Sequence, residues 1–218
     1  MGALSTYINL TRRLLHDSTA QFWSNQELTD DINQARVRLA GDTKCLRQVV
    51  TGITLSAGVE TYDIPTAVSS GTPANLGPYV VEVYSVTINW GGTYRYVCQN
   101  RAFSEQNAKL RQWTTYQERP GSIARVGGST LYINPIPDQA YTSDWDLVTV
   151  PVPLVLDTDV EPIPIVFQPC IPYFAAHIAK YNEQTYDESE LYYKKYLTER
   201  QAAMWAFSSY RVRDFYRR

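Results

Sequence analysis

Residues 119–154, RPGSIARVGGSTLYINPIPDQAYTSDWDLVTVPVPL, constrain the fold more than any other stretch. Ile123–Val126 and Thr130–Ile133 are short β-prone runs separated by Gly127-Gly128, and two glycines can take the positive φ angles that a tight hairpin turn needs. A hairpin is therefore expected. Its second strand ends at Pro135-Ile136-Pro137-Asp138, because prolines without N–H groups stop the ladder. Trp145–Leu156 is a further extended run broken by Pro151 and Pro153, which places it at a sheet edge or in an extended arm.

The rest of the chain surrounds this region with helical patterns at both ends. Leu4, Tyr7, Leu10 or Thr11, and Leu14 share one face of a helix over residues 4–16, with Arg12 and Arg13 toward the other side. Phe22 and Trp23 form an aromatic plug in the connection. Ser24-Asn25-Gln26-Glu27 is a capping-box sequence that starts a second helix near Asn25. Leu28, Ile32, Ala35 and Leu39 are its apolar stripe and Gly41 its stop, so the two helices should form an αα-hairpin.

From about Val49 the apolar period becomes two. Ile53 and Leu55, a turn at Gly58, and Tyr62 and Ile64 ending at Pro65 describe a first hairpin. Residues 66–78, TAVSSGTPANLGP, read as a mobile surface loop. Tyr79–Trp90, Gly91-Gly92 and Thr93–Cys98 describe another hairpin, and Ala102–Trp113 a short helix with Phe103, Leu110 and Trp113 on one side. Pro169 or Pro172 opens the longest helix, in which Phe174, Ile178, Tyr181, Thr185, Glu188, Tyr192 and Tyr196 form a stripe running on to Met204 or Trp205. The final stretch, SSYRVRDFYRR, carries a net +3 and too few apolar residues to fold alone.

These patterns predict an α+β fold. The N-terminal helix hairpin and the long C-terminal helix make a helical bundle (residues 1–48 and 165–207). An antiparallel β-rich domain is inserted at 49–164, and 208–218 is an extended C-terminal arm. A chain of 218 residues can bury a core without staples, since a body this size hides roughly 70% of its unfolded surface. With 44% hydrophobic and 19% charged residues and no apolar stretch of spanning length, neither disorder nor a membrane span is expected. Met1-Gly2-Ala3-Leu4-Ser5 leads straight into a helix, so no cleavable leader is expected. Cys45, Cys98 and Cys170 read as reduced core residues of a cytosolic protein. A net charge of −2 does not recruit nucleic acid or anionic membrane in bulk. The 17 tyrosines and 5 tryptophans fit either an aromatic core or a partly wet interface.

Chemical sites are weakly drawn. Asp144 and Asp146 share a strand face, but without a converging third ligand they read as the solvated face of an edge strand; Asp157 and Asp159 belong to a loop. His16 sits at a helix C-terminus and His177 on the long helix, neither with a second ligand at metal spacing. Gly127-Gly128-Ser129-Thr130 lacks the lysine of a phosphate loop, and no serine lies in a nucleophile elbow. No catalysis, cofactor or metal is expected. For the arginine-rich tail, nucleic-acid binding would rest on about four phosphate contacts and membrane anchoring lacks an apolar stripe, whereas aromatic anchors beside arginines suit docking to a protein partner.

Taken in order, LLHDSTAQFWSNQELTDDINQARVRLAGDTKCL (14–46), LSAGVETYDIP, RPGSIARVGGSTLYINPIP and a Tyr-rich C-terminal helix with a loose end resemble the head-to-tail adaptor proteins of tailed bacteriophages. The resemblance implies a structural protein of the virion neck, assembled in the host cytoplasm as a homo-oligomeric ring of about twelve copies under the portal protein. It implies a lumen through which DNA passes without specific binding, a tail or nozzle protein docked on the β-rich side, and no membrane contact. Carried onto this chain, it makes Tyr210, Arg211, Arg213, Phe215, Tyr216 and Arg217 the candidate portal contacts. The loops 66–78 and 113–122 become candidates for the tail-facing surface. A reading from a different class is a β-rich carbohydrate- or ligand-binding module of a phage tail, with Trp90, Trp113 and Trp145 as stacking platforms.

Overall fold

The computed structural model describes residues 3–72, 79–92, 94–110 and 116–208. Among them the chain is α+β, with six helices and two sheets. It divides into two compact units, Met1–Leu46 with Pro153–Arg218, and Arg47–Val152.

In the first unit, α1 (Ala3–Leu14) buries Leu4, Tyr7 and Thr11, leaving Leu10 39% exposed. Arg12 does not face outward as its position on the wheel suggested. It is buried, and its guanidinium donates to Asp17 Oδ2 (2.9 Å), the Trp23 carbonyl (2.7 Å) and Asn25 Oδ1 (2.9 Å). Asp17 in turn accepts from the backbone N–H groups of Gln21, Phe22 and Trp23. The interhelix connection is thus wound around an ion pair, not an aromatic plug: Phe22 is 80% exposed, and only Trp23 packs, against Leu15, Leu28, Ala176 and Ala179.

Helix α2 (Asn25–Thr43) begins with the expected capping box, Ser24 Oγ accepting from the Glu27 N–H and Glu27 Oε2 from the Ser24 N–H. Leu28, Ile32, Ala35 and Leu39 are wholly buried. The helix does not stop at Gly41; it runs to Thr43, and Lys44 supplies the left-handed cap (φ 52°). A single helical glycine costs about 1 kcal/mol relative to alanine, which does not end a helix whose preceding turn is packed.

The predicted single C-terminal helix is two: α5 (Cys170–Asn182) and α6 (Tyr186–Ser208). Gln184 takes φ 65° between them, and Lys180 ties the turn by pairing with Glu183 (2.8 Å) and Glu188 (3.0 Å). The break folds one aromatic stripe onto itself. Phe174 of α5 meets Tyr196 of α6 at 4.8 Å between ring centroids, and His177 meets Tyr193 at 5.0 Å. Helix α5 packs against α1, α2 and α6.

Residues 154–167 contain no helix or strand, yet they are held at several points. Asn33 clamps Leu154 through both backbone groups, accepting from its N–H (2.8 Å) and donating to its carbonyl (2.9 Å). Arg36, fully buried in α2, makes a two-pronged pair with Glu161 at 2.9 and 3.0 Å. Ile163 and Phe167 complete the core with Leu39, Ile171 and Tyr196.

The second unit encloses one core between two sheets. Strands β1 (Arg47–Leu55), β3 (Val80–Trp90), β4 (Tyr94–Val97) and β8 (Tyr141–Thr149) form the first, in the order β1-β8-β3-β4. Strands β2 (Thr61–Asp63), β5 (Gln99–Asn100), β6 (Ser122–Val126) and β7 (Thr130–Asn134) form the second, in the order β2-β7-β6-β5. All pairings are antiparallel except the short β5–β6 one. The β6–β7 hairpin with Gly127 at φ 65° and the β3–β4 hairpin agree with expectation.

Three features of this unit differ from the sequence reading. The run read as an edge strand holds β8, the centre of its sheet, because Pro151 and Pro153 fall after the ladder ends at Thr149 and remove no donor from it. Trp145 there is fully buried, its Nε1 donating to Ser143 Oγ (2.9 Å), which donates to the Ile53 carbonyl (2.9 Å). The expected hairpin across Gly58 does not form: Gly58 turns the chain at φ 74°, but β1 pairs with β8 and β2 with β7. The stretch expected as a loop begins as helix α3 (Ile64–Ser69), capped by Asp63 with Pro65 in the first turn, so the proline starts a helix instead of merely ending a strand. Residues 73–78 lie outside the described residues. Helix α4 (Phe103–Leu110) forms where a short helix was expected, while Trp113 lies outside the described residues.

Arg125 ties the two sheets together by donating to the carbonyls of Val80, Val81 and Gly128. Gly71 approaches β1 so closely that a Cβ there would lie 2.3 Å from Val50 Cγ1 and 3.1 Å from the Thr51 carbonyl oxygen.

Three outcomes follow for stability. Glu161→Ala strands the Arg36 charge in the core and should cost about 3–5 kcal/mol, whereas replacing both partners by apolar residues restores most of that; urea unfolding of the two variants is the check. Gly71→Ala should destabilise by about 1–3 kcal/mol, measured the same way. Burial, aided by Asp30 and Glu27, raises the Asp31 carboxyl to about 6. A carboxyl raised on folding binds its proton more tightly in the native state, so native stability falls as pH rises from about 4 to 6. Asp31→Asn should therefore raise the melting temperature at pH 7.5, and the gain should shrink as pH is lowered to 4.5.

Candidate interaction surfaces

Helix α6 is anchored along one side and bare at one end. Tyr192 Oη donates to the Leu14 carbonyl, and Tyr196 Oη to Asp42 Oδ2 (3.1 Å), which also receives Arg200 Nη1 (2.6 Å). Burial, reinforced by the Asp42 carboxylate, holds the Tyr196 phenol protonated far above the ordinary tyrosine range. These are core tyrosines whose polar tips are satisfied. One turn beyond Arg200 the environment changes. Ala203 is buried, but Met204 is 44%, Trp205 71% and Phe207 42% exposed. The Phe207 ring meets Phe167 at 5.4 Å between centroids.

Such a cluster of large, exposed apolar side chains on one helix end is a candidate contact surface. The chain continues from it directly into the predicted portal contacts Tyr210, Arg211, Arg213, Phe215, Tyr216 and Arg217, which lie outside the described residues. The helical stripe was expected to run on to Met204 or Trp205, on a helix only partly buried. Their exposure was readable only by noting that the stripe's periodic members end at Tyr196.

In the second unit, β4 is an edge strand whose residues Tyr94–Val97 are all exposed. The Arg119 guanidinium lies 4.8 Å from the Trp90 ring centroid and 5.1 Å from that of Tyr96, a cation–π stack that covers one face of each ring. Of the three proposed sugar platforms, Trp145 is buried and Trp113 lies outside the described residues. Trp90 has one face already occupied by Arg119. Burial thus removes Trp145 as a stacking platform. Of the proposed tail-facing loops 66–78 and 113–122, 66–69 is helical, 73–78 and 113–115 lie outside the described residues, and Ser122 already begins β6.

The chemical candidates are engaged structurally. Asp146 pairs with Arg47, and Asp144 accepts from Asn89 (3.3 Å); both lie on the central strand β8, not on a solvated edge. Asp157 accepts from the Ser5 N–H, and Asp159 from the N–H groups of Val155 and Leu156. His177 Nδ1 meets Ser189 Oγ at 2.8 Å, and that hydroxyl also bonds the His177 carbonyl, a clasp between α5 and α6. His16 occupies a left-handed position just after α1. The three cysteines are buried and free, and burial pushes the Cys98 and Cys170 thiols up to about 12, so neither is a ready nucleophile. Among the described residues no group of three His, Cys, Asp or Glu side chains is placed to hold a metal ion, and no helix is long and apolar enough to cross a membrane.

Comparison with known proteins adds one finding. No curated protein matches the chain significantly. The family described as SU10 adaptor protein matches residues 3–214, which includes both units, the bare end of α6 and most of the arginine-rich tail. The chain belongs to the SU10 adaptor protein family, consistent with its resemblance to phage head-to-tail adaptors.

Proposed function

We propose that the chain is a structural head-to-tail adaptor of a tailed phage. About twelve copies form a ring beneath the portal through repeated heterologous contacts, extending the DNA channel. The arginine-bearing tail grips the portal, and the β-rich unit faces the tail or nozzle protein. The observation that carries this reading is the exposed Met204–Phe207 end of α6, in a chain matched by an adaptor family from residue 3 to 214. Exposed Trp205 with Tyr210, Phe215 and Tyr216 supplies aromatic anchors, and Arg211, Arg213 and Arg217 supply forked donors for carboxylates, a pairing typical of interface hot spots. A slightly acidic subunit, net −2, favours a lumen to which a duplex does not adhere. The role is assembly in the virion neck and passage of DNA at ejection, without catalysis.

The test is binding of purified chain to purified portal rings, read by electron microscopy and sedimentation. Deleting residues 208–218 should abolish binding; undiminished binding would refute the docking role of the tail. Trp205→Ser should weaken binding by roughly tenfold or more while leaving the chain folded by circular dichroism, because the side chain is largely exposed.

A further inference from the structure

The segment 154–167 is held at several points, yet it turns part of its apolar side chains outward. Leu154, Glu161, Ile163 and Phe167 point into the core of the first unit. Between these anchors Val155 is 73%, Leu156 62%, Val160 86% and Ile165 78% exposed. The turn that presents them is built from polar bonds: Asp159 Oδ2 accepts from Val155 N–H (2.7 Å) and Leu156 N–H (2.8 Å), while Asp157 Oδ1 accepts from Ser5 N–H (2.8 Å) at the start of α1. Ordinary connecting turns expose polar residues. A pinned turn flanked by three exposed aliphatic residues, Val155, Leu156 and Val160, is preorganised for a protein contact, since its ordering cost is met before binding.

A complementary surface lies on the same unit. Leu10 and Leu14 of α1 with Pro169, Pro172 and Tyr173 around the start of α5 line an apolar groove of about 400 Å³, and its one charged member is Arg13. Arg13 is exposed and has no ion-pair partner among the described residues. The arm carries two carboxylates, Asp157 and Asp159, that accept backbone N–H groups, while Glu161 is paired with Arg36. Apolar turn and apolar groove, acidic tip and basic rim are thus matched in both shape class and charge.

We infer that the arm around Val155–Val160 of one copy seats in the Leu10–Tyr173 groove of the next copy, with Asp157 and Asp159 toward Arg13. The contact is intermolecular because Ser5 holds the arm at one end of α1 while Arg13 lies two turns away, about 12 Å along the helix axis. Two different patches at opposite ends of one helix give a heterologous contact, which propagates around a ring and does not stop at a dimer. The inference rests on the adaptor reading for ring closure, not for the contact itself.

Paired cysteine variants test it. Val160→Cys and Leu10→Cys change exposed side chains, and the native cysteines are buried, so background coupling is low. Mixed in equal amounts, free at high concentration and on portal rings, the two variants should give roughly tenfold more cross-linked dimer than either alone, the ratio expected from about 1.4 kcal/mol of preference for this pairing. Arg13→Glu should suppress the cross-link, whereas Arg13→Lys, which keeps the charge, should leave it largely intact. Absence of the mixed cross-link in both settings overturns the inference, as does an intrachain link in the double-cysteine variant, which would place the arm in its own groove. Rings on the portal without this cross-link would sink the inference alone. The cross-link without portal binding would support the contact and sink the adaptor reading.

Discussion

A guanidinium with almost no solvent access must have a carboxylate brought to it, and in the first unit that requirement organises the chain. Arg36 sits in the middle of α2, on the same buried side as Ile32 and Leu39. Glu161 answers it from a segment with no regular structure. Taking both charges out of water costs several kcal/mol per ion, so the pair is worth keeping only where its geometry is fully satisfied. The two parallel bonds at 2.9 and 3.0 Å meet that condition. The chain returning at Pro153 therefore has one register against α2, and Asn33, one turn before Arg36, fixes it by clamping Leu154. Burial of Ile163 and Phe167 and the start of α5 at Cys170 follow from that register.

The same logic recurs at smaller scale. Arg12 and Asp17 organise the link between α1 and α2, Asp42 gathers Tyr196 and Arg200 beneath α6, and Arg125 joins the two sheets of the second unit. Each replaces what a linear pattern reads as a surface charge with a buried or half-buried tie. A hydrophobic wheel scores arginine as outward-facing, so Arg12, Arg36 and Arg125 carry no core signal in the sequence; their partners lie 5, 125 and about 45 residues away. Such pairings become visible only once the chain has folded.

Local chemistry was legible where it acts over a few residues. The Ser24–Glu27 box, the apolar stripe of α2, the Gly127 turn and the β3–β4 hairpin are all written within short windows. Long-range pairing was not. Leu55 and Tyr62 flank a genuine glycine turn and look like hairpin partners, yet their strands enter different sheets, because β8 offers β1 a longer ladder than β2 can. Pro65 and Pro151 were each read as strand punctuation, although one begins a helix and the other lies beyond a central strand. The Asp63-Ile64-Pro65-Thr66 stretch did hold a capping signal: an acceptor side chain followed by a proline in the first turn. For the candidate surfaces, the tail was singled out by composition alone, whereas the bare end of α6 and the 154–167 arm required knowing which members of an apolar run face inward.

The tyrosines show why that knowledge decides the reading. Their number is compatible with either an aromatic core or an interface, and the structure divides them. Tyr7, Tyr141 and Tyr196 are buried, and the Tyr141 and Tyr196 hydroxyls bond Asp138 and Asp42. Tyr79, Tyr94, Tyr116, Tyr181 and Tyr186 are more than half exposed. An exposed tyrosine costs little in water because its hydroxyl stays solvated, and it loses few rotamers when a partner covers it. Exposed aliphatic residues have no such compensation, which makes Val155, Leu156, Val160 and Ile165 the more demanding fact. Val155 and Leu156 are held in place by backbone bonds to the Asp159 carboxylate, and all four side chains bear a continuing hydration cost that burial against a protein surface would remove.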